Sequence, residues 1–278
     1  MKKNKNKKEL VLFFNGKRGF EVFKYLKRQK YLIKEIYVSK KFLNRDTVYK
    51  LDKNKTKYKI INNLDKVNFS NFKNSIGIVC GFPYIFNQKQ IKNFYKIINC
   101  HAGKLPNYRG GSPLSWQMIN GEKFFGITVL YLTSKIDQGN ILAEKKFQIK
   151  KNFSIKNLHF IANKNFPKMV NFSIKKILRN NKGLKQSKKT ANYYHQRSSK
   201  DSKISFKNME FSQISRYVKA LQGDYPKAFF FYKGKKISIS SIKNSNIKLN
   251  PGEVKKKKNC YHIGCKDGSI LIRQSSKL

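Results

Sequence analysis

The stretch from Ser75 to Cys100, SIGIVCGFPYIFNQKQIKNFYKIINC, decides the fold. Ser75 to Gly81 is a continuous apolar run closed by a glycine, and Lys96 to Cys100 is a second such run. Between them, Gln88 to Tyr95 is polar with apolar residues at helical intervals. Apolar strands separated by a helix are the pattern of a parallel sheet buried on both faces. Working outward toward the N-terminus, Leu10 to Phe14 and Leu32 to Val38 read as two further strands around an amphipathic segment, Arg18 to Arg28. Toward the C-terminus, Gly126 to Tyr131 and Ile141 to Ile149 read as strands on either side of a glycine-containing loop. Ile155 to Leu178 then reads as a long amphipathic helix that closes this region.

After His195 the pattern changes to one short helix, Phe211 to Leu221, and short strands at Ala228 to Tyr232, Lys236 to Ile242, Tyr261 to Cys265 and Ser269 to Arg273. Lys-Gly, Pro-Gly and Asp-Gly turns punctuate them, as in a small β-barrel. The expected class is therefore α/β: a Rossmann-like, mostly parallel sheet with helices on both faces, followed by a small OB-like β-barrel domain. The expected boundaries are a basic tail over residues 1–9, the α/β domain over 10–180, a Lys- and Asn-rich linker over 181–197 and the C-terminal domain over 198–278.

The composition, with 39% hydrophobic and 14% aromatic residues, suits a packed core rather than a disordered chain. The net charge of +48 would attract any polyanion, whether nucleic acid, acidic lipid or phosphorylated small molecule. Lysine is spread along the chain beside abundant Asn, Ile, Phe and Tyr, which reads as a compositional bias rather than a built nucleic-acid surface. No apolar run is long enough to span a membrane, and Leu10 to Phe14 is too short for a signal-peptide core, so a cytoplasmic protein is expected. Cys80 and Cys100 sit in apolar runs and read as small core residues. Cys260, His262 and Cys265 lack the second ligand pair of a structural zinc site, so no metal is expected.

The chemistry concentrates in Ile98 to Trp116, INCHAGKLPNYRGGSPLSW. Ligands of parallel sheets bind beyond the carboxyl ends of strands, which is where this segment begins. Asn99 and His101, two apart on a strand, point the same way. An Asn amide donates to an oxyanion, and a His works as acid or base near neutral pH. The glycine-rich loop behind them allows close backbone approach to a ligand, and Arg109 has the planar fork that grips phosphate or carboxylate. Asp137, within KIDQGN at 135–140, is placed to fold over His101 and fix its tautomer. Taken alone, each residue also fits a humbler role as a turn or surface hydrogen-bonding group.

The run N-x-H-x(4)-P-x-Y-R-G followed by Trp116, NGE, GITV and IDQGNIL resembles the folate-dependent formyltransferase family. That family includes methionyl-tRNA formyltransferase, the sugar-nucleotide N-formyltransferases and phosphoribosylglycinamide formyltransferase. KDSKISF, the segment from Ile214 to Ile239 and NPGEV look like the C-terminal domain that the tRNA and sugar enzymes share. The resemblance implies an enzyme in which an acceptor amine attacks the formyl carbon of 10-formyltetrahydrofolate, with no metal. It implies catalytic roles for Asn99, a protonated His101 and Asp137. It places the folate against Phe82, Pro83, Tyr84 and Ile85, against Gly103, Lys104, Leu105 and Pro106, and against Lys135 and Ile136. Arg109, Gly110 and Trp116 are the residues expected to meet the acceptor.

The tRNA enzymes carry Ser-Leu-Leu-Pro where this chain has Gly103 to Pro106, and Gly-Thr-Pro where it has Asn15 to Arg18. Their Arg- and Gly-rich insertion has no counterpart in the Lys-rich Ser39 to Lys57. HAGKLPNYRG looks closer to enzymes that formylate nucleotide-linked amino sugars, and such a sugar is the expected acceptor. Initiator methionyl-tRNA is the alternative, favoured by the basicity and the C-terminal domain, and a non-catalytic binding module on this fold is a third reading. Partners are thus the folate donor and one of these acceptors, without membrane insertion and with oligomerisation left open. Tyr193, Tyr194, Tyr225 and Phe229 to Phe231 read as packing aromatics rather than a base-stacking surface.

Overall fold

A computed structural model describes residues 8–223 and 226–273. The Leu10–Phe14 run forms β1 (Glu9–Phe14), after which α1 (Gly16–Arg28) returns to β2 (Ile33–Ser39). α2 (Arg45–Lys53), β3 (Lys59–Ile61), β4 (Ser75–Cys80), α3 (Gln88–Lys92) and β5 (Lys96–His101) follow. Beyond a two-residue strand β6 (Arg109–Gly110) come α4 (Pro113–Ile119), β7 (Phe124–Tyr131), β8 (Ile141–Gln148) and α5 (Ile155–Leu178). One seven-stranded sheet has the order β3-β2-β1-β4-β5-β7-β8. The first five of these strands pair in parallel, while β7 runs antiparallel to β5. The expected mostly parallel α/β sheet is present, with β7 as an antiparallel addition. α2 and β3 went unread in the sequence because charged lysines flank them and leave no continuous apolar run.

The described chain divides into two units. The first takes the residues up to Arg109, Gly126–Lys146 and Phe160–Tyr193; the second takes Gly110–Phe125, Phe147–His159 and the described residues from Tyr194 onward.

In the first unit, strand alternation sends successive β1 side chains to opposite faces of the sheet. Phe14 stacks on Phe23 of α1, with ring centroids 6.4 Å apart. α1 in turn meets α5, where Arg18 Nε donates to Asn163 Oδ1 (3.1 Å) and the guanidinium lies over Phe166. Phe13 points the other way, into a cluster with Tyr37, Phe72, Phe86 and Phe94. Its ring stacks on Tyr37 at 4.9 Å and meets Phe86 edge-on at 5.1 Å. Both faces of the sheet are therefore covered, as continuous apolar strands require.

The short strand β9 (Tyr193–Tyr194) precedes α6 (Phe211–Ala220), which in the second unit meets α4, where Arg216 Nε donates to the Ile119 carbonyl at 3.1 Å. β10 (Phe229–Tyr232) and β11 (Lys235–Ser238) form an antiparallel hairpin. β12 (Lys243–Asn244), β13 (Val254–Lys257), β14 (Cys260–Cys265) and β15 (Gly268–Arg273) form a four-stranded sheet of order β12-β15-β14-β13. The expected C-terminal β structure is thus two small antiparallel sheets. Phe229 and Phe230 are buried, Phe230 meeting Tyr261 edge-on at 5.4 Å, whereas Phe231 is exposed. Tyr225 lies outside the described residues. Among the described residues no helix is long and apolar enough to cross a membrane.

Phe13 is fully buried and touches aromatic rings on four sides. Phe13→Ala should cost about 3–5 kcal/mol, the usual range for a buried Phe truncated to Ala. Urea denaturation followed by circular dichroism would read this as a lowered midpoint.

Candidate active site

β5 is an interior strand, with β4 on one side as far as Cys100 and β7 on the other through His101. Asn99 lies opposite Val79 of β4 and Leu130 of β7, and His101 lies opposite Thr128 of β7. Asn99 and His101 share one face by the strand period, while Cys100 between them points to the other.

The excursion after β7 is closed by the Tyr131 N–H, which donates to the Asn140 carbonyl at 2.9 Å. Gly139 passes so close to this turn that a Cβ would stand 1.7 Å from the Tyr131 carbonyl oxygen, so only glycine fits. Asp137 has φ of 52°, in the left-handed region. From there its carboxylate reaches both strand residues. Asn99 Nδ2 donates to Oδ1 at 3.2 Å, and His101 Nδ1 lies 3.4 Å from Oδ2. The other imidazole nitrogen, Nε2, is 2.6 Å from the Tyr108 carbonyl oxygen. A carbonyl only accepts, so Nε2 carries a proton, and Nδ1 faces the carboxylate. The His101 side chain is 6% exposed and that of Asp137 9%, which strengthens their mutual field relative to water.

The loop behind His101 is shaped to the ring. A Cβ at Gly103 would stand 2.4 Å from His101 Nε2 and 2.6 Å from the Tyr108 oxygen, so a side chain there would displace one of them. Buried Thr128 donates its hydroxyl to the Gly103 carbonyl at 2.8 Å, and the Tyr108 N–H returns to the Lys104 carbonyl at 2.9 Å. Leu105 is buried in this loop, with Lys104 and Pro106 half-buried.

Phe82, Pro83 and Tyr84 are half-buried, Phe82 meeting Phe13 and Tyr84 edge-on. Ile85 is 70% exposed and Ile136 47%, and Lys135 is also exposed. Arg109, expected to face an anion, is 5% exposed, and its bidentate edge is engaged by Gln186 Oε1 through Nε (3.1 Å) and Nη2 (2.8 Å). Gly110 and Trp116 belong to the second unit. There Trp116 packs on Tyr194 and His195 and donates its indole N–H to the His195 carbonyl at 3.0 Å.

Sequence reasoning missed three groups here. The Tyr108 carbonyl and the Thr128 hydroxyl lay inside recognised motifs but gave no sign of their partners. Gln186 lay in what reads as linker, where nothing periodic marks it.

The four thiols are all free. Burial pushes the Cys100 thiol well above its ordinary value, and burial likewise raises Cys265. Among the described residues no group of three or more His, Cys, Asp and Glu side chains is placed to hold a metal; His262 Nδ1 is bonded to the Ser245 hydroxyl at 2.7 Å.

The family described as Formyl transferase matches residues 24–166, and Formyl transferase, C-terminal domain, matches residues 197–277. The chain is similar to the methionyl-tRNA formyltransferase of Ureaplasma parvum serovar 3, with 30% identity over 199 residues, covering 70% of this chain and 65% of that protein. It is also similar to the bifunctional polymyxin resistance protein ArnA of Wigglesworthia glossinidia brevipalpis, with 34% identity over 184 residues, 63% of this chain and 27% of that one. The match thus spans less than two thirds of either relative. Among solved structures, WlaRD, a sugar 3N-formyl transferase crystallised in the presence of dTDP and 5-N-formyl-THF, overlays with a TM-score of 0.72 at 19% identity, covering 98% of this chain and 99% of that one.

The thiolate is the reactive form of cysteine, so a raised and buried thiol is unreactive at pH 8. Only Cys260 is other than buried. Ellman's reagent at pH 8 should therefore label Cys260 alone in the native protein and all four thiols after unfolding, as peptide mass spectrometry would record.

Proposed function

We propose that this chain, which belongs to the formyl transferase family, transfers a formyl group from 10-formyltetrahydrofolate to a primary amine, and that the amine is carried by a nucleotide-linked amino sugar. The convergence of Asn99, His101 and Asp137 at hydrogen-bonding distance carries the reading. In the reaction the amine nitrogen attacks the formyl carbon, the carbon–N10 bond breaks, N10 gains a proton and the amine loses one. Asn99 uses one Nδ2 proton on Asp137 and has a second to offer the oxyanion of the tetrahedral intermediate. His101 turns its Nε2 proton from the Tyr108 carbonyl toward the reacting atoms and acts as the proton carrier. Asp137 holds Nδ1 and so fixes the plane in which the ring turns. Exposed Ile85 and Ile136 supply apolar surface for the pterin, alongside Phe82 to Tyr84, Gly103 to Pro106 and Lys135.

Position 103 favours the sugar. The tRNA enzymes have serine there, whereas this loop closes on His101 so tightly that glycine is required. An overlay along nearly the full length of a sugar 3N-formyl transferase agrees with this reading. With Arg109 engaged inside the protein, the diphosphate of such a substrate falls to surface lysines. Initiator methionyl-tRNA is the second reading, favoured by 30% identity to a methionyl-tRNA formyltransferase and by the +48 charge.

The test offers 10-formyltetrahydrofolate with a thymidine-diphosphate 3-amino sugar, or with charged initiator tRNA, to the purified protein. We expect formylation of the sugar. Formylation of the tRNA with no sugar modified would replace the proposed acceptor. His101→Ala should lower kcat by about 10²–10⁴ and Asn99→Ala by about 10²–10³, with circular dichroism unchanged. Transfer at the wild-type rate in His101→Ala would remove the mechanism and leave a binding module.

A further inference from the structure

We propose that Gln186 is a positioning residue for formyl transfer: braced by Arg109, it holds the Asp137 loop in the conformation that brings the carboxylate to Asn99 and His101. The inference rests on the formyl-transfer reading above but on different atoms. Gln186 is 9% exposed, and it uses every hydrogen-bonding position its amide has. Oε1 accepts from Arg109 Nε and Nη2, at 3.1 and 2.8 Å. Nε2 donates to the Asp137 carbonyl at 2.8 Å and to the Gly139 carbonyl at 2.7 Å.

The bracing continues through the arginine. Arg109 Nη1 donates to the Tyr193 hydroxyl at 3.0 Å, and the guanidinium lies over the Tyr193 ring, 5.4 Å from its centroid. The same hydroxyl accepts from Gln138 Nε2. Three consecutive loop residues, Asp137, Gln138 and Gly139, are therefore tied to one assembly centred on a buried guanidinium. Its charge polarises the Gln186 amide, which strengthens the bonds that amide donates to the loop.

The chemistry narrows the residue to glutamine. Two donors must face two carbonyls while two lone pairs face an arginine fork, which only a primary amide provides. Asparagine is one methylene shorter and cannot span the same gap. Glutamate keeps the arginine fork but places oxygen against the two loop carbonyls, losing both donors. The wedge of Arg109 between Gln186 and Tyr193 also explains why a residue with a phosphate-binding fork is buried: its fork is spent on the loop.

The experiment uses full-length Gln186→Ala and Gln186→Glu. Steady-state kinetics would use 10-formyltetrahydrofolate with the thymidine-diphosphate amino sugar or the initiator tRNA, whichever the wild type modifies. Amide hydrogen exchange of the peptide covering residues 133–140 is measured in parallel. We expect kcat to fall about 10–100-fold in both variants, the cost of a displaced catalytic group, with KM for the folate within about threefold of wild type. Exchange at 137–139 should accelerate in both. In an Asp137→Ala background, Gln186→Ala should lower kcat no further, because its effect passes through Asp137.

A kcat within twofold of wild type, unchanged exchange, penalties that multiply in the double variant, or unfolding of both variants would each overturn the positioning role. A wild type inactive on both acceptors would instead overturn the formyl-transfer reading, and the exchange measurement would still decide whether Gln186 holds the loop.

Discussion

A carboxylate carried on a loop has to meet two side chains fixed on a strand, and it does so only with its own backbone in the left-handed region. Asp137 has φ of 52°. For a residue with a side chain this conformation costs about 1–2 kcal/mol, somewhat less for Asp. The two hydrogen bonds from Gln186 into the loop, each worth about 0.5–1.5 kcal/mol net, are of the size needed to offset it. Asn99 and His101 need no comparable support, because β4 and β7 both pair with Asn99 and β7 pairs with His101.

The loops around the imidazole show how geometry constrains chemistry from the opposite direction. Gly103 leaves the space that the His101 ring occupies, and Thr128 pins the Gly103 carbonyl from the neighbouring strand. The ring is thereby held between a carbonyl that only accepts and a carboxylate that only accepts. An imidazole so placed is supplied with partners for its protons and has none that would donate to it. That asymmetry suits a group that gives a proton to a reacting centre and regains it. The buried Cys100 thiol beside it, raised by burial and aimed at the opposite face, takes no part.

The large positive charge is a surface property. Some acidic residues pair with lysines, as in Glu9 with Lys34, Asp46 with Lys50 and Glu35 with Lys59, and solvent-accessible pairs of this kind add little stability. Such a field raises the local concentration of anionic substrates over roughly 8 Å at physiological salt. It does so for a nucleotide sugar and for a tRNA alike, so the charge does not distinguish the two acceptors.

The apolar runs of β1, β4 and β5 and the amphipathic α1 and α5 were legible in the amino-acid order, because burial on two faces or one imposes a period. Asn99, His101 and Asp137 were legible as residue types at the end of a strand and in a turn, and more sharply through the motifs around them. α2 and β3 were not, since lysine-rich edges blur the period. Gln186 and the Tyr108 carbonyl were not either. Gln186 bonds residues 47 to 77 positions away, the Tyr108 carbonyl meets His101 only through the fold of its loop, and no periodicity or spacing encodes either partner. By itself the sequence determined which side chains are available and which strand presents them. Only the tertiary structure decided that the Asp137 loop closes over that strand, because its tether is a buried amide some 50 residues downstream.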